Sequence, residues 1–187
     1  MANCIVFVSG KGSNLVQIHQ YLQNTPHWVA GVITDKPQCG GAEYARKQGI
    51  PLLVADYSQG KEVAEQTIIN WIHEQPQIKL LVLAGFMRIL SESLIKEFEN
   101  KIINIHPTLL PKHPGKNGLS RSIESDDDSL GITIHYVDEG VDTGPIILQE
   151  SFLRSNDQTF EQLEEKIHQI EHRLYPKVVV ELLGQSE

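Results

Sequence analysis

Cysteine is nearly absent from this sequence, with Cys4 and Cys39 the only two. Two thiols can build neither a disulfide framework nor a four-cysteine zinc site, so both are expected to be free thiols in a reducing cytosol. Basic runs are missing too. Sixteen Lys and Arg against 24 Asp and Glu leave a formal net charge of -8, which offers no cationic stripe to a phosphate backbone and argues against nucleic acid as a partner. No apolar run approaches the about 20 residues that span a bilayer, so no membrane partner is expected. The chain opens directly on the apolar Cys4-Ile5-Val6-Phe7-Val8, without the basic leader of a secretory signal. A cytoplasmic protein is predicted.

What is present is ordinary globular material: 40% hydrophobic and 21% charged residues in 187, enough for a single domain spanning 1–187 with its own core. Short aliphatic or β-branched runs fall at residues 5–8, 29–34, 52–54, 79–83 and 101–105, each separated by a helix-patterned segment. That alternation predicts stacked βαβ units. Because the runs are apolar almost throughout, they read as strands buried on both faces, in a doubly wound, mostly parallel α/β sheet. After residue 105 comes a Pro- and Gly-rich stretch, 107–118, and then two adjacent strand candidates at 132–137 and 145–153. Their direct connection predicts an antiparallel strand on the C-terminal side. A closing amphipathic helix is expected over about 159–183 with a break at Pro176, since proline removes an intrahelical donor.

Three segments carry chemistry, each with a plainer reading beside it. The first βα turn is Ser9-Gly10-Lys11-Gly12-Ser13-Asn14, at the point where a helix presents unpaired amides that can cradle phosphate. The plainer reading is a tight turn with Ser13 capping the helix. A dinucleotide fingerprint would need a third glycine where Leu15 stands, although Asp35 after the second strand imitates its ribose-binding acid. A Walker loop would need Ser or Thr where Gly12 follows Lys11. A monophosphate fits better. The second segment, Asn104-Ile105-His106-Pro107, ends the fifth strand, and alternation points Asn104 and His106 to one side. A carboxamide beside an imidazole can hold the oxygen of a reacting carbonyl, or the pair can be structural. The third, Asp138-Glu139-Gly140-Val141-Asp142-Thr143-Gly144-Pro145, offers Asp142 as a neighbour for His106, or is a solvated hairpin turn.

Other features weigh less. His168-Gln169-Ile170-Glu171-His172 copies the HxxEH order of inverted zinc peptidases without room for a further downstream ligand, so no metal is expected. Asp126-Asp127-Asp128 reads as a solvated loop or helix end, and Trp28 and Trp71 as packing residues.

Taken in order, Ser9-Gly10-Lys11-Gly12-Ser13-Asn14, Leu83-Ala84-Gly85-Phe86-Met87-Arg88-Ile89-Leu90, Asn104-Ile105-His106-Pro107-Thr108-Leu109-Leu110-Pro111 and Asp142-Thr143-Gly144-Pro145 resemble the folate-dependent formyltransferase family, in its glycinamide ribonucleotide branch. The resemblance covers nearly the whole chain. It implies the Rossmann-like formyltransferase fold, a place in purine biosynthesis, and 10-formyltetrahydrofolate as co-substrate without a metal. It implies Asn104, His106 and Asp142 as the catalytic set, and Gly12, Ser13, Asn14 and Glu171 as contacts to the ribose phosphate of glycinamide ribonucleotide. For folate it implies Met87, Arg88, Ile89 and Leu90 on one wall of the pocket, Asp138, Glu139, Gly140, Val141 and Asp142 on the other, with Asn104 between. Lys61 stands where the family often has an arginine for the folate tail.

The sequence departs from the family after Pro114-Gly115, where many members carry His-Thr-His and this chain reads Asn117-Gly118-Leu119. That loop faces the amine substrate, so the departure bears on the acceptor. Alternatives are an amino sugar nucleotide as acceptor, a formyltetrahydrofolate hydrolase, and a phosphate- and folate-binding module without chemistry. The hydrolase usually carries an additional N-terminal domain, and this sequence begins at its first strand. Small-molecule substrates and a monomer or homodimer are expected.

Overall fold

The apolar runs become strands sandwiched between helical layers, and a computed structural model describes residues 2–155 and 157–185 of the chain. The strands are β1 (Asn3–Val8), β2 (Trp28–Thr34), β3 (Leu52–Val54), β4 (Ile78–Leu83), β5 (Ile102–His106), β6 (Ser129–Tyr136) and β7 (Ile146–Leu153). The helices are α1 (Ser13–Leu22), α2 (Gly40–Gln48), α3 (Lys61–His73), α4 (Glu92–Glu97), α5 (Gly118–Glu124) and α6 (Phe160–Gly184). One sheet runs β3-β2-β1-β4-β5-β6-β7. The first five strands are mutually parallel, and β6 lies antiparallel to both β5 and β7.

Strand β1 shows why its run is apolar without interruption. Cys4, Val6 and Val8 face one way, into a core shared with Leu15 and Ile18 of α1 and Ile167, Ile170 and Leu174 of α6. Ile5 and Phe7 face the other way, against Ile68 and Ile72 of α3 and Leu94 and Ile95 of α4. The sequence order of the strands reverses between β1 and β4. At such a switch point the connections leave in opposite directions and open a crevice beyond the carboxyl ends of the strands.

Helix α6 starts from a capping box, in which Thr159 Oγ1 accepts from the Gln162 amide and the Gln162 side chain returns to the Thr159 amide. The expected break at Pro176 does not occur, and the helix continues to Gly184. Proline inside a helix costs about 3 kcal/mol, but Tyr175, Val178 and Val179 around it are buried against the sheet. The Tyr175 hydroxyl, between the Leu83 carbonyl at 2.8 Å and the Ile103 carbonyl at 3.3 Å, pins the helix there. Packing outweighs the missing bond. Trp28 also departs from expectation: at the open start of β2 it is 43% exposed. Trp71 does pack, and only glycine at position 31 admits it, since a Cβ there would lie 2.3 Å from the indole Cη2.

Candidate active site

The end of β5 supplies two polar side chains and its antiparallel neighbour supplies a third. Asn104 pairs in register with His135 of β6, so the alternation that turns Asn104 and His106 to one side turns His135 to that side too. The β6–β7 connection then brings in Asp142. Asp138 organises this turn, its Oδ1 accepting from the Gly140 amide at 3.1 Å and from Thr143 Oγ1 at 2.7 Å. Asp142 itself takes the left-handed conformation, φ 55°, which aspartate tolerates better than most residues.

The four side chains converge. Asp142 Oδ2 lies 3.2 Å from His106 Nδ1 and accepts from the Gly115 amide at 2.7 Å. Asp142 Oδ1 lies 3.4 Å from Asn104 Nδ2 and 3.5 Å from His135 Nε2. His106 Nε2 lies 2.9 Å from the His113 carbonyl. Both nitrogens of His106 therefore face acceptors, and both contacts are satisfied only by the doubly protonated ring. His135 differs. Its Nδ1 faces the Tyr136 carbonyl at 2.8 Å, while its Nε2 lies 3.3 Å from Asn104 Nδ2 and on the same side as Asp142.

Burial pulls the His106 pKa below its ordinary value, and the His113 carbonyl and Asp142 carboxylate offset this without reversing it. Burial also opposes ionisation of Asp142, but the His135 ring, the Gly115 amide and the His106 charge outweigh it and hold the pKa at about 2. The carboxylate is therefore charged at neutral pH, 3.2 Å from the imidazole nitrogen it faces.

Across the crevice, the β1–α1 turn leaves the amides of α1 open. Ser13 does not cap the helix as the plainer reading holds. Gly12 is the N-cap, in the left-handed region at φ 77°, and has no side chain to occupy those amides. The turn is tight enough that a Cβ on Gly12 would lie 2.6 Å from Gly41 Cα. Ser13 is exposed, whereas Asn14 is buried and donates from Nδ2 to Glu171 Oε2 at 3.1 Å. Burial pushes the Glu171 carboxyl up to about 7, with the Asn14 bond working against the rise. Asn14 Oδ1 is buried without a partner among the described residues. The HxxEH match is thus taken apart: Glu171 faces Asn14 while His168 and His172 stack on each other, centroids 6.2 Å apart. Among the described residues no cluster of three metal-ligating side chains occurs.

Between these two groups lies the β4–α4 segment. Met87 and Ile89 are each 68% exposed, while Leu90 is buried. Lys61, Leu90 and Glu139 line one open cleft of about 970 Å³, with Glu139 also 3.4 Å from Lys96. Gly140 and Val141 are exposed on the facing turn. Arg88 pairs with Asp35 at 2.8 Å, and its guanidinium lies over the Tyr57 ring, 4.6 Å from the centroid.

Two positions escaped sequence reasoning, and a third, Gly118, reads only as part of the loop that departs from the family. His135 was legible only through the β5–β6 register. Asp127, taken for a solvated charge, holds His113 Nε2 at 2.9 Å and Lys112 Nζ at 2.6 Å and so secures the 107–118 loop over His106. Lys112 and His113 depress its pKa to about 2. Gly118 touches the site directly, since a Cβ there would lie 2.8 Å from His106 Nε2 and 2.7 Å from the His113 carbonyl oxygen.

The formyl transferase family model matches residues 2–179. The chain is 39% identical over 189 aligned positions to phosphoribosylglycinamide formyltransferase of Bacillus subtilis (strain 168), covering 98% of this chain and 96% of that one. It resembles the crystal structure of phosphoribosylglycinamide formyltransferase from Bacillus halodurans with TM-score 0.93 and 40% identity, over 99% of this chain and 97% of that one. The crystal structure of glycinamide ribonucleotide transformylase 1 from Geobacillus kaustophilus gives TM-score 0.93 and 38% identity, over 98% and 100%.

Proposed function

The chain belongs to the formyl transferase family, and from that premise we propose that it moves the formyl group of 10-formyltetrahydrofolate to the amine of glycinamide ribonucleotide in purine biosynthesis. The observation that carries this is the meeting of Asn104, His106 and Asp142 within 3.4 Å at the carboxyl end of β5. It stands two strands away from the open amides of α1, about 10 Å at ordinary strand spacing. We take residues 1–187 as one formyltransferase domain acting in the cytoplasm as a monomer or homodimer.

The residues divide between the two substrates. The amides after Gly12, with Ser13 beside them, hold the ribose phosphate, because that helix end carries positive potential and unpaired donors. Asn14 Oδ1, buried and unpartnered among the described residues, and Glu171 take the ribose side. The exposed apolar side chains of Met87, Ile89 and Val141 suit a flat heteroaromatic ring. The cleft of about 970 Å³ lined by Lys61 has room for the folate tail, whose carboxylates match the lysine charge. Asp138, Glu139 and Gly140 close the other wall.

In the reaction the neutral amine attacks the formyl carbon, and the carbonyl electrons move onto oxygen. Asn104 donates to that oxyanion. The His106 Nε2–H, which bonds the His113 carbonyl in the free protein, turns to the oxyanion as the loop yields. Asp142 stabilises the imidazolium and receives, directly or through water, the proton released by the attacking nitrogen. Collapse of the intermediate returns the His106 proton to the imidazole and expels the folate nitrogen, which takes up, directly or through water, the proton that Asp142 received, so that the carboxylate is restored. Asn104 already stands on this side of β5 before charge develops, whereas the His106 donor becomes available only as the His113 carbonyl lets it go.

A spectrophotometric assay of folate turnover with glycinamide ribonucleotide as acceptor tests the reading. Turnover that depends on this acceptor is expected. Formate release without acceptor would establish the hydrolase instead, and turnover only with an amino sugar nucleotide would reassign the substrate.

A further inference from the structure

Ser9 and Asp35 belong to neither substrate's contacts above, yet they join the segments that carry both. Ser9 follows β1 and opens the phosphate turn. Its hydroxyl donates to Asp35 Oδ1 at 2.6 Å and accepts from the Met87 amide at 2.9 Å, while its own amide donates to the Gly85 carbonyl at 3.1 Å. The second oxygen of Asp35 accepts from Arg88 Nε at 2.8 Å. Ser9 is 3% exposed and the Asp35 side chain 2% exposed. Both carboxylate oxygens of Asp35 are thus engaged inside the protein, which disposes of the ribose-binding acid that its place after the second strand imitates. Burial opposes the Asp35 charge, but Ser9 and Arg88 lower its pKa below the ordinary value, so the network is ionic at neutral pH. Charge-assisted bonds of this kind hold geometry more firmly than neutral ones.

We propose that Ser9 and Asp35 are positioning residues that lock the donor-binding segment at Gly85, Met87 and Arg88 onto the phosphate turn, fixing the separation between the two substrates. The inference rests on the function proposed above. Each turn holds its own ligand with its own groups, and the bridge between them sets where the amine nitrogen lies relative to the formyl carbon. A displacement of about 1 Å at a reacting pair can lower a rate by about a hundredfold. Loosening the bridge should therefore act on turnover and leave the separate affinities nearly alone.

The test uses the full chain with Ser9→Ala, Asp35→Asn and the double variant. Asp35→Asn keeps the shape and removes the charge that holds Arg88, so it remains informative should Ser9→Ala fold poorly, and thermal melting follows both. We expect kcat to fall about tenfold, with dissociation constants for glycinamide ribonucleotide and tetrahydrofolate within about threefold of the unaltered protein and an unchanged pH profile. The double variant should be no slower than the worse single one, because the residues act in one network. Unchanged kcat in folded variants, or a loss confined to the affinity of a single substrate, would overturn the inference. If the unaltered chain binds neither ligand and transfers nothing, the functional reading fails and the inference with it.

Discussion

Replacing Asp142 with asparagine removes one charge from the site and the acceptor that faces Asn104 Nδ2 at 3.4 Å. The isosteric side chain can keep its carbonyl oxygen toward the Gly115 amide, now 2.7 Å away, and its amino group takes the place of the oxygen now 3.5 Å from His135 Nε2. What disappears is the negative charge 3.2 Å from His106 Nδ1. A carboxylate so close raises a histidine pKa by about 1 to 3 units. His106 already titrates below its ordinary value because it is buried, and without Asp142 it should titrate lower still. The limb on which kcat/KM falls with rising pH should therefore move to lower pH, by about one unit or more. At neutral pH the smaller imidazolium fraction accounts for about a tenfold loss, and loss of the proton acceptor should bring the total to about a hundredfold or more. Initial rates across the neutral range, with both substrates varied, measure both quantities. A variant whose descending limb coincides with that of the unaltered enzyme would refute the pairing of Asp142 with His106. Stability offers a parallel check. The Asp142 pKa of about 2 lies below its ordinary 3.8, so the carboxylate stabilises the fold above pH 3.8 and loses that contribution as pH falls toward 2. The unaltered protein should exceed the variant by on the order of 1 kcal/mol near neutrality, after allowance for partial exposure, and the gap should close in acid.

Gly118→Ala should crowd the His106 imidazole out of its working position and slow turnover about tenfold, because the new Cβ would lie 2.8 Å from Nε2; overpacking of this sort also costs about 1 to 3 kcal/mol, read by denaturant unfolding. Gly12→Ala meets both a positive φ of 77° and a contact of 2.6 Å with Gly41, so the Michaelis constant for the phosphorylated substrate should rise about tenfold or more while that for folate stays. Glu171→Gln should stabilise the free protein. The Glu171 pKa of about 7 stands above its ordinary 4.5, so the native charge is penalised increasingly as pH rises from 4.5 to 7. The variant should gain on the order of 3 kcal/mol by neutral pH and almost nothing below pH 4.5, measured by unfolding at several pH values.

The parallel half of the sheet was legible because β1, β2 and β4 are buried on both faces along most of their length and carry nearly uninterrupted apolar runs. Asn104 and His106 could be paired from strand alternation alone, since residues two apart on a strand share a face. Asp142 required more, because its approach depends on β6 and β7 forming a hairpin beside β5, a contact between distant segments that local pattern does not encode. His135 lay one step further, as its place opposite Asn104 follows from interstrand register. The errors share this origin. Pro176 and Trp28 were judged by local rules, whereas the sheet beneath α6 holds the proline in helix and the open start of β2 leaves the tryptophan in solvent. Asp127 reads as a loop charge until the 107–118 segment folds back upon it.

The most direct test is a single-turnover measurement of formyl transfer to glycinamide ribonucleotide by His106→Ala, both substrates saturating and product identified by mass. The transfer step should slow by about a hundredfold or more with both substrates still bound. A rate within a few-fold of the unaltered enzyme would mean that the imidazole at the end of β5 does not carry the reaction.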